Sequence, residues 1–222
     1  MSQIDFPELQ RVDFKGMRFY KTPQKNHYPS ITTILGTTAP AEKQESLKNW
    51  QNSLGVSKAA QVTKAAAERG TNVHLLIERY LKKEDLQLNT FNWTDVNAFK
   101  ALTLKLNNIE KVIGQEVALY SDIIEVAGTC DCVGVYRNHL SIIDFKTSSR
   151  LKSEKDIFDY KLQCTFYGSA FYEMFGIEIE TGVILMTADT GFPMEFTFQL
   201  KDYLQPLLER VDKFYDTLNK SL

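Results

Sequence analysis

Apolar and polar positions change period several times along the chain, and each change marks an element. From Gln10 to Lys21 they alternate in part around Lys15-Gly16, which predicts a hairpin turning there. Pro29-Ser30 opens a short apolar piece, Ile31 to Leu35. Helical spacing follows over 42–54 and 57–83, with Ser57 the predicted N-cap of the second helix and Gly70 an interruption in it. Thr94 caps a further predicted helix running to Val112, on Phe99, Leu102, Leu106 and Ile109. The period then falls toward two. Residues 114–120, 125–136 and 140–147 read as strands, the last two joined at Asn138-His139. A helix at 154–175, strands at 181–188 and 193–199, and a helix at 202–219 complete the order. There is no internal repeat, low-complexity tract or long linker. This order predicts a mixed α/β (α+β) domain with a basic helical segment ahead of its sheet.

Composition narrows the class. With 222 residues, 43% hydrophobic and 24% charged, the chain can bury a core, which excludes wholesale disorder. No run of 18 apolar residues exists, so no membrane span is expected. The first residues show neither a signal-peptide nor a transit-peptide pattern, and three cysteines point to a reducing compartment rather than a disulfide framework. A formal charge of −2 gives no general affinity for polyanions. The distribution of charge is more informative. Phe14–Ala41 and Ser46–Ala67 contain no acid but several lysines, whereas Leu162–Leu200 contains no Lys or Arg. A basic first third suits a phosphate backbone; taken alone, it reads first as ordinary solvated surface.

The chemistry concentrates between Gly128 and Thr147. Asp144 and Lys146 are two apart on a strand and project to one face. A tight turn at Asn138-His139 would pair Arg137 with Leu140, Asp131 with Lys146 and Val133 with Asp144. Asp131 and Asp144 would then be diagonal neighbours, roughly 7–8 Å apart at Cα. Their carboxylates can converge on a hard cation, with ligand distances of about 2.0–2.1 Å for Mg²⁺. An acid–lysine pair on a strand is often solvated surface. Here Asp144 sits in the apolar run Leu140-Ser-Ile-Ile-Asp-Phe, where a carboxylate needs a cation or strong hydrogen bonds. Cys130 and Cys132 read as core residues on the strand face opposite Asp131.

Asp131 followed thirteen residues later by Asp144-Phe145-Lys146 resembles the active-site signature of the PD-(D/E)XK nucleases, in particular the RecB-like exonuclease branch. Three further segments match that branch. Gly70-Thr71-Asn72-Val73-His74 with Glu78 resembles its helical motif with a metal-proximal histidine. Gln163-Cys164-Thr165-Phe166-Tyr167 resembles its QxxxY motif. Tyr28 to Leu35 resembles a segment of the mitochondrial genome maintenance exonucleases and related phage nucleases. The resemblance spans roughly residues 14 to 190, and its specificity lies in the joint order of short motifs.

The resemblance implies a restriction-endonuclease-like fold, a central mixed sheet flanked by helices, in a single nuclease domain over 1–222. Within it, 10–69 would be the hairpin and basic helical segment, 70–200 the catalytic core and 201–222 the C-terminal helix. It further implies a metal-dependent DNA exonuclease that prefers single-stranded ends and serves DNA replication, recombination or repair, or phage DNA metabolism. Asp131, Asp144, the Phe145 main-chain carbonyl and His74 would hold one or two Mg²⁺ or Mn²⁺ ions, with Glu116 as an additional candidate carboxylate. Lys146 would serve the attacking water, and Gln163 and Tyr167 would position the phosphate or Lys146. Thr32, Lys48, Trp50, Lys58, Lys64, Arg69, Thr71 and Thr147 are the candidate DNA contacts. Some RecB-like nucleases carry a four-cysteine iron–sulfur cluster; Cys130, Cys132 and Cys164 are too few to build one. A monomer in a bacterial or phage-infected cytoplasm is the expected setting. A structure-specific endonuclease of the same fold, or a non-catalytic DNA-binding module, are the alternatives.

Overall fold

The computed structural model describes residues 4–220. Its centre is a five-stranded mixed sheet in the order β4 (Ile109–Ser121), β5 (Val126–Tyr136), β6 (His139–Ser148), β7 (Thr181–Ala188), β8 (Pro193–Gln199). Only β6 and β7 run parallel, because α5 (Phe158–Phe175) crosses over between them; the other pairs are antiparallel. Every residue of β7 is buried, which explains its unbroken apolar run. Ile184 and Met186 face a core shared with α1 (Ile31–Thr37), α5 and α6 (Leu204–Asn219). Val183 and Leu185 face a second core built with α3 (Val56–Leu81) and α4 (Trp93–Leu106). The sheet is therefore covered by helices on both faces, the mixed α/β architecture expected.

A smaller antiparallel sheet, β1 (Gln10–Phe14), β2 (Met17–Lys21) and β3 (His27–Pro29), lies beside the start of β5. Tyr20 and Tyr28 pack there against Ala127, and the Tyr28 hydroxyl donates to Asp122 at 2.7 Å. The apolar piece Ile31–Leu35 belongs to α1, which Ser30 caps by accepting from the Thr33 N–H at 3.0 Å.

Several boundaries differ from those read in the sequence. α3 starts at Val56 behind Gly55 (φ 80°), so Ser57 lies inside the helix rather than capping it. Gly70 does not interrupt α3; it lets the helix approach β6, where a Cβ on Gly70 would stand 3.8 Å from the Thr147 hydroxyl. The helix predicted at 94–112 ends at Leu106, and Ile109 and Val112 belong to β4. Asn107-Asn108 break the helical run, and β-branched residues after them favour the strand. α4 begins at Trp93 with Asn92 in the cap position, two residues ahead of the predicted Thr94 cap. α5 starts at Phe158, not 154, because Asp156 accepts from the Ser153 N–H at 2.8 Å and holds 153–156 in a turn.

α2 (Ala41–Leu54) buries no residue, and the first half of α3 buries only Ala59. The two helices form a basic hairpin whose faces are largely left to solvent. A helix polar on all sides takes little stability from the core. No helix among the described residues is long and apolar enough to cross a membrane.

Candidate active site

The site forms where β5 and β6 part. Arg137 and Asn138 both take positive φ (46° and 66°), so the hairpin turns on them, as a two-residue type I′ connection requires. Tyr136 therefore pairs with His139 and Cys132 with Ile143, two residues out of the register expected from a turn at Asn138-His139. A shift of two keeps side chains on their faces, so Asp144 and Lys146 still project together. The paired register stops at Cys132–Ile143. Beyond it, the Phe145 N–H donates to the Asp131 carboxylate at 2.8 Å, and a side chain takes over from the backbone ladder.

Across β5, β4 pairs Gln115 with Cys132 and Val117 with Cys130, so Glu116 stands opposite Asp131. Glu116 has φ 50°, a left-handed conformation that costs a residue with a side chain roughly 1–2 kcal/mol. Regular alternation fails here. Cys130 belongs to the core under α5 and Cys132 to the core under α3, so the two do not share the face opposite Asp131 as expected. Both remain core thiols. Burial raises Cys130 and Cys164 well above the usual range and Cys132 to about 12, so the free thiols stay protonated.

Asp144 is 1% exposed. One carboxylate oxygen accepts from the Lys146 Nζ at 2.5 Å, while the other is buried without a hydrogen-bond partner. Burial pushes its pKa up to about 6, against the pull of Lys146 and with a push from Asp131. Burial alone would lower Lys146, but Asp144 and then Asp131, 4.0 Å away, outweigh it and hold the ammonium charged. The Lys146 ammonium also lies 5.2 Å from the centre of the Tyr160 ring.

His74, on the buried face of α3, brings the second helical layer to the site. Its Nε2 lies 2.8 Å from the Phe145 carbonyl, an acceptor only, so Nε2 carries a proton there. Nδ1 faces Glu116 and Asp131, each at 3.8 Å. Burial disfavours the imidazolium, but Asp131 and Glu116 outweigh it and raise the pKa to about 9. Ligand atoms of His74, Glu116 and Asp131 all lie within 4.8 Å of one another. An unpartnered buried carboxylate oxygen beside this nitrogen and oxygen set fits a divalent cation, which would relieve the surplus negative charge. The Phe145 carbonyl keeps one lone pair for such an ion beyond its contact with His74.

Gln163 and Tyr167 do something more structural than the sequence suggests. The buried Tyr167 hydroxyl donates to the Thr129 carbonyl at 2.6 Å, and Gln163 Nε2 donates to that hydroxyl at 3.3 Å. They brace β5 two residues before Asp131 and do not hydrogen-bond Lys146. Gly128 permits the close approach, since a Cβ there would meet the Tyr167 hydroxyl at 2.9 Å.

The expected DNA contacts divide. Lys48 and Lys58 are exposed on the basic hairpin without ion pairs among the described residues, and Lys64 loosely pairs with Glu68 at 3.8 Å. Arg69 is tied to Asp189 by an ion pair, so its guanidinium is less available than its place in the basic run suggests. Thr71 and Thr147 flank the contact of Gly70 with β6; Thr71 is exposed and its hydroxyl donates to the Ala67 carbonyl. Thr32, on the first turn of α1, shares a hydrogen bond with Ser30. Trp50 is half-buried on α2. The sequence reading passed over Tyr160, whose ring lies against Lys146, and over Arg150, Lys152 and Lys155 in the loop ahead of α5.

A mixed five-stranded sheet with this acid–acid–lysine fork, a histidine on the facing helix and the glutamine–tyrosine pair on the crossover helix resembles the arrangement expected of the PD-(D/E)XK exonuclease type. The chain is 29% identical over 219 residues to mitochondrial genome maintenance exonuclease 1 of Xenopus tropicalis, covering 90% of this chain and 61% of that one. It is 27% identical over 177 residues to the protein of that name in Mus musculus and 25% over 182 residues to that in Homo sapiens, covering 77% of this chain and 52% of each. The chain thus spans between half and two thirds of the length of these curated relatives. No family model matches it. A solved chain from Eubacterium rectale, described provisionally as an exonuclease, aligns over 68% of this chain and 66% of its own at 12% identity, with a TM-score of 0.49.

Proposed function

We propose that this chain is a divalent-metal-dependent DNA exonuclease that hydrolyses phosphodiester bonds from single-stranded ends. The observation that carries the reading is the fork between β5 and β6, where Asp131, Asp144 and Lys146 converge and an Asp144 oxygen is buried without a hydrogen-bond partner. Asp131 and Asp144, with His74, Glu116 and the Phe145 carbonyl around them, would hold Mg²⁺ or Mn²⁺. When bound, the ion would lower the pKa of its water and offset charge on the phosphoryl oxygens. Lys146, kept charged by the two aspartates, orients the attacking water and stabilises the charge that grows on the phosphate. Tyr167 and Gln163 act at a distance, holding β5 so that Asp131 stays aimed at Asp144. The names of the relatives support the exonuclease reading.

The preference for a free single-stranded end rests on the hairpin of α2 and α3. Its exposed Lys48 lies on α2, and Lys58 lies N-terminal to His74 on α3, the helix that reaches the site. A matched comparison of linear and covalently closed single strands, with Mg²⁺, Mn²⁺ or EDTA, tests the proposal. Degradation of the linear strand alone, and only with metal, is expected. Efficient cutting of circles would instead favour an endonuclease of the same fold.

A further inference from the structure

One groove is lined by residues that the site's chemistry does not use. It has a cavity volume of about 740 Å³ and runs between α2 and the 149–157 loop, which leads from β6 into α5. Leu47, Trp50, Arg150, Lys152, Lys155 and Phe158 are among its lining residues. Phe158 is 42% exposed, whereas Phe166, Tyr167 and Phe171 on the same helix are buried.

The charges of the groove are not equivalent. Arg150 is paired with Asp156 at 2.5 Å, and Lys43 with Asp159 at 2.6 Å, so those acids are already satisfied. Glu42 is exposed on α2 at the margin. Lys152 and Lys155 make no ion pair among the described residues. Lys152 is half-buried, and burial followed by its neighbour Arg150 holds its pKa below the usual lysine value. A cation kept in such a place invites an anion.

The loop is also fixed before any ligand arrives. Asp156 accepts from both the N–H and the hydroxyl of Ser153, Glu154 pairs with the buried Lys161, and the Lys152 N–H reaches the Met194 sulfur. The groove and the catalytic lysine both meet the start of α5. Tyr160, whose ring lies against the Lys146 ammonium, is two residues from Phe158 on the first turn of α5.

We propose that this groove is a nucleotide subsite for the single strand outside the scissile phosphate, in which Trp50 and Phe158 take a base and Lys152 and Lys155 take its phosphate. The inference rests on the nuclease reading above and deepens it. Stacking on an aromatic face accepts any base, which suits an enzyme that must pass every sequence. Fixed aromatic and cationic walls would hold the strand one step from the fork without its bases being read.

Trp50 supplies its own probe, because the chain holds only one other tryptophan, Trp93. In a Trp93→Phe protein, oligothymidylate added in EDTA should quench Trp50 fluorescence saturably, whereas inorganic polyphosphate should not. Lys152→Gln with Lys155→Gln should lower the slope of log affinity against log salt by roughly one unit, at about 0.7 per lost contact. Phe158→Leu should weaken binding roughly ten-fold, within the range of one lost stacking contact. Each variant is compared with the parent by circular dichroism, and Phe158→Leu serves if the double lysine variant is misfolded. Absence of quenching, or affinity and slope unchanged in folded variants, would overturn the subsite. Cleavage of linear strands by the same Trp93→Phe protein with Mn²⁺ is scored separately, so loss of the subsite and loss of the nuclease reading are distinguishable.

Discussion

The Phe145 N–H donates to the Asp131 carboxylate at 2.8 Å at the point where the β5–β6 ladder ends. One side chain thus has two tasks, closing the gap in the sheet and facing the candidate metal site. Asp131→Asn keeps an acceptor for the N–H, whereas Asp131→Ala keeps none. Denaturant unfolding should show Asp131→Asn near the parent and Asp131→Ala less stable by about 1–2 kcal/mol. Both should lose at least roughly 100-fold in cleavage rate, because both lose an anionic ligand. Equal stability of the two variants would show that the bond to Phe145 does not support the fork.

A brace and a phosphate-binding group differ in kinetics and in stability. Tyr167→Phe removes the hydroxyl that bonds Thr129 and should cost about 1 kcal/mol in unfolding experiments, with a moderate fall in kcat and little change in KM. Gly128→Ala drives a methyl group against the Tyr167 ring and should cost about 1–3 kcal/mol. A large rise in KM for Tyr167→Phe with unchanged stability would return Tyr167 to direct contact with the phosphate.

What was legible in the sequence follows from how local each signal is. β7 and β8 were placed correctly because a fully buried run bounded by turns has few other readings. Asp131, Asp144, Lys146 and His74 could be brought together on paper because their spacing and order resemble one nuclease branch. The register was misplaced by two because Arg137, a residue with no special liking for positive φ, occupies the turn beside Asn138. The fork itself was invisible. It depends on Glu116 holding a left-handed backbone and on a strand leaving its partner, neither of which alternation of residues reveals. The roles of Gln163 and Tyr167 were blurred for a related reason, since their partner is a backbone carbonyl.

Metal-free protein should be less stable in alkali. The His74 pKa is raised from 6.5 to about 9 by Asp131 and Glu116, so the folded state binds that proton more tightly than the unfolded state does. This contribution is fully present below pH 6.5 and is lost as pH rises through 9. The thermal midpoint in EDTA should fall by several degrees across that window, since about 1 kcal/mol moves Tm by roughly 2–4 °C at this chain length. In His74→Ala the fall should be smaller. An equal fall in both proteins would place the titration elsewhere.

The basic hairpin should dominate the salt dependence of binding. Replacing Lys48, Lys58 and Lys64 together by alanine should flatten the slope of log affinity against log salt by roughly two units, at about 0.7 per phosphate contact on single strands. Glu178, Glu180 and Glu195 are the acids of comparison in the stretch free of Lys and Arg, and their replacement should leave the slope nearly unchanged. An unaltered slope in the triple-lysine protein would mean that the strand does not follow α2 and α3.

The most direct measurement is the cleavage rate of an end-labelled single strand by the parent protein, Asp144→Asn and Lys146→Ala, each with Mg²⁺, Mn²⁺ or EDTA and each shown to be folded. The account predicts rapid, metal-dependent release of short products by the parent, and loss of at least roughly 1000-fold in both variants, about 4 kcal/mol of barrier. Near-parental turnover by either folded variant, or cleavage by the parent undiminished in EDTA, would contradict it.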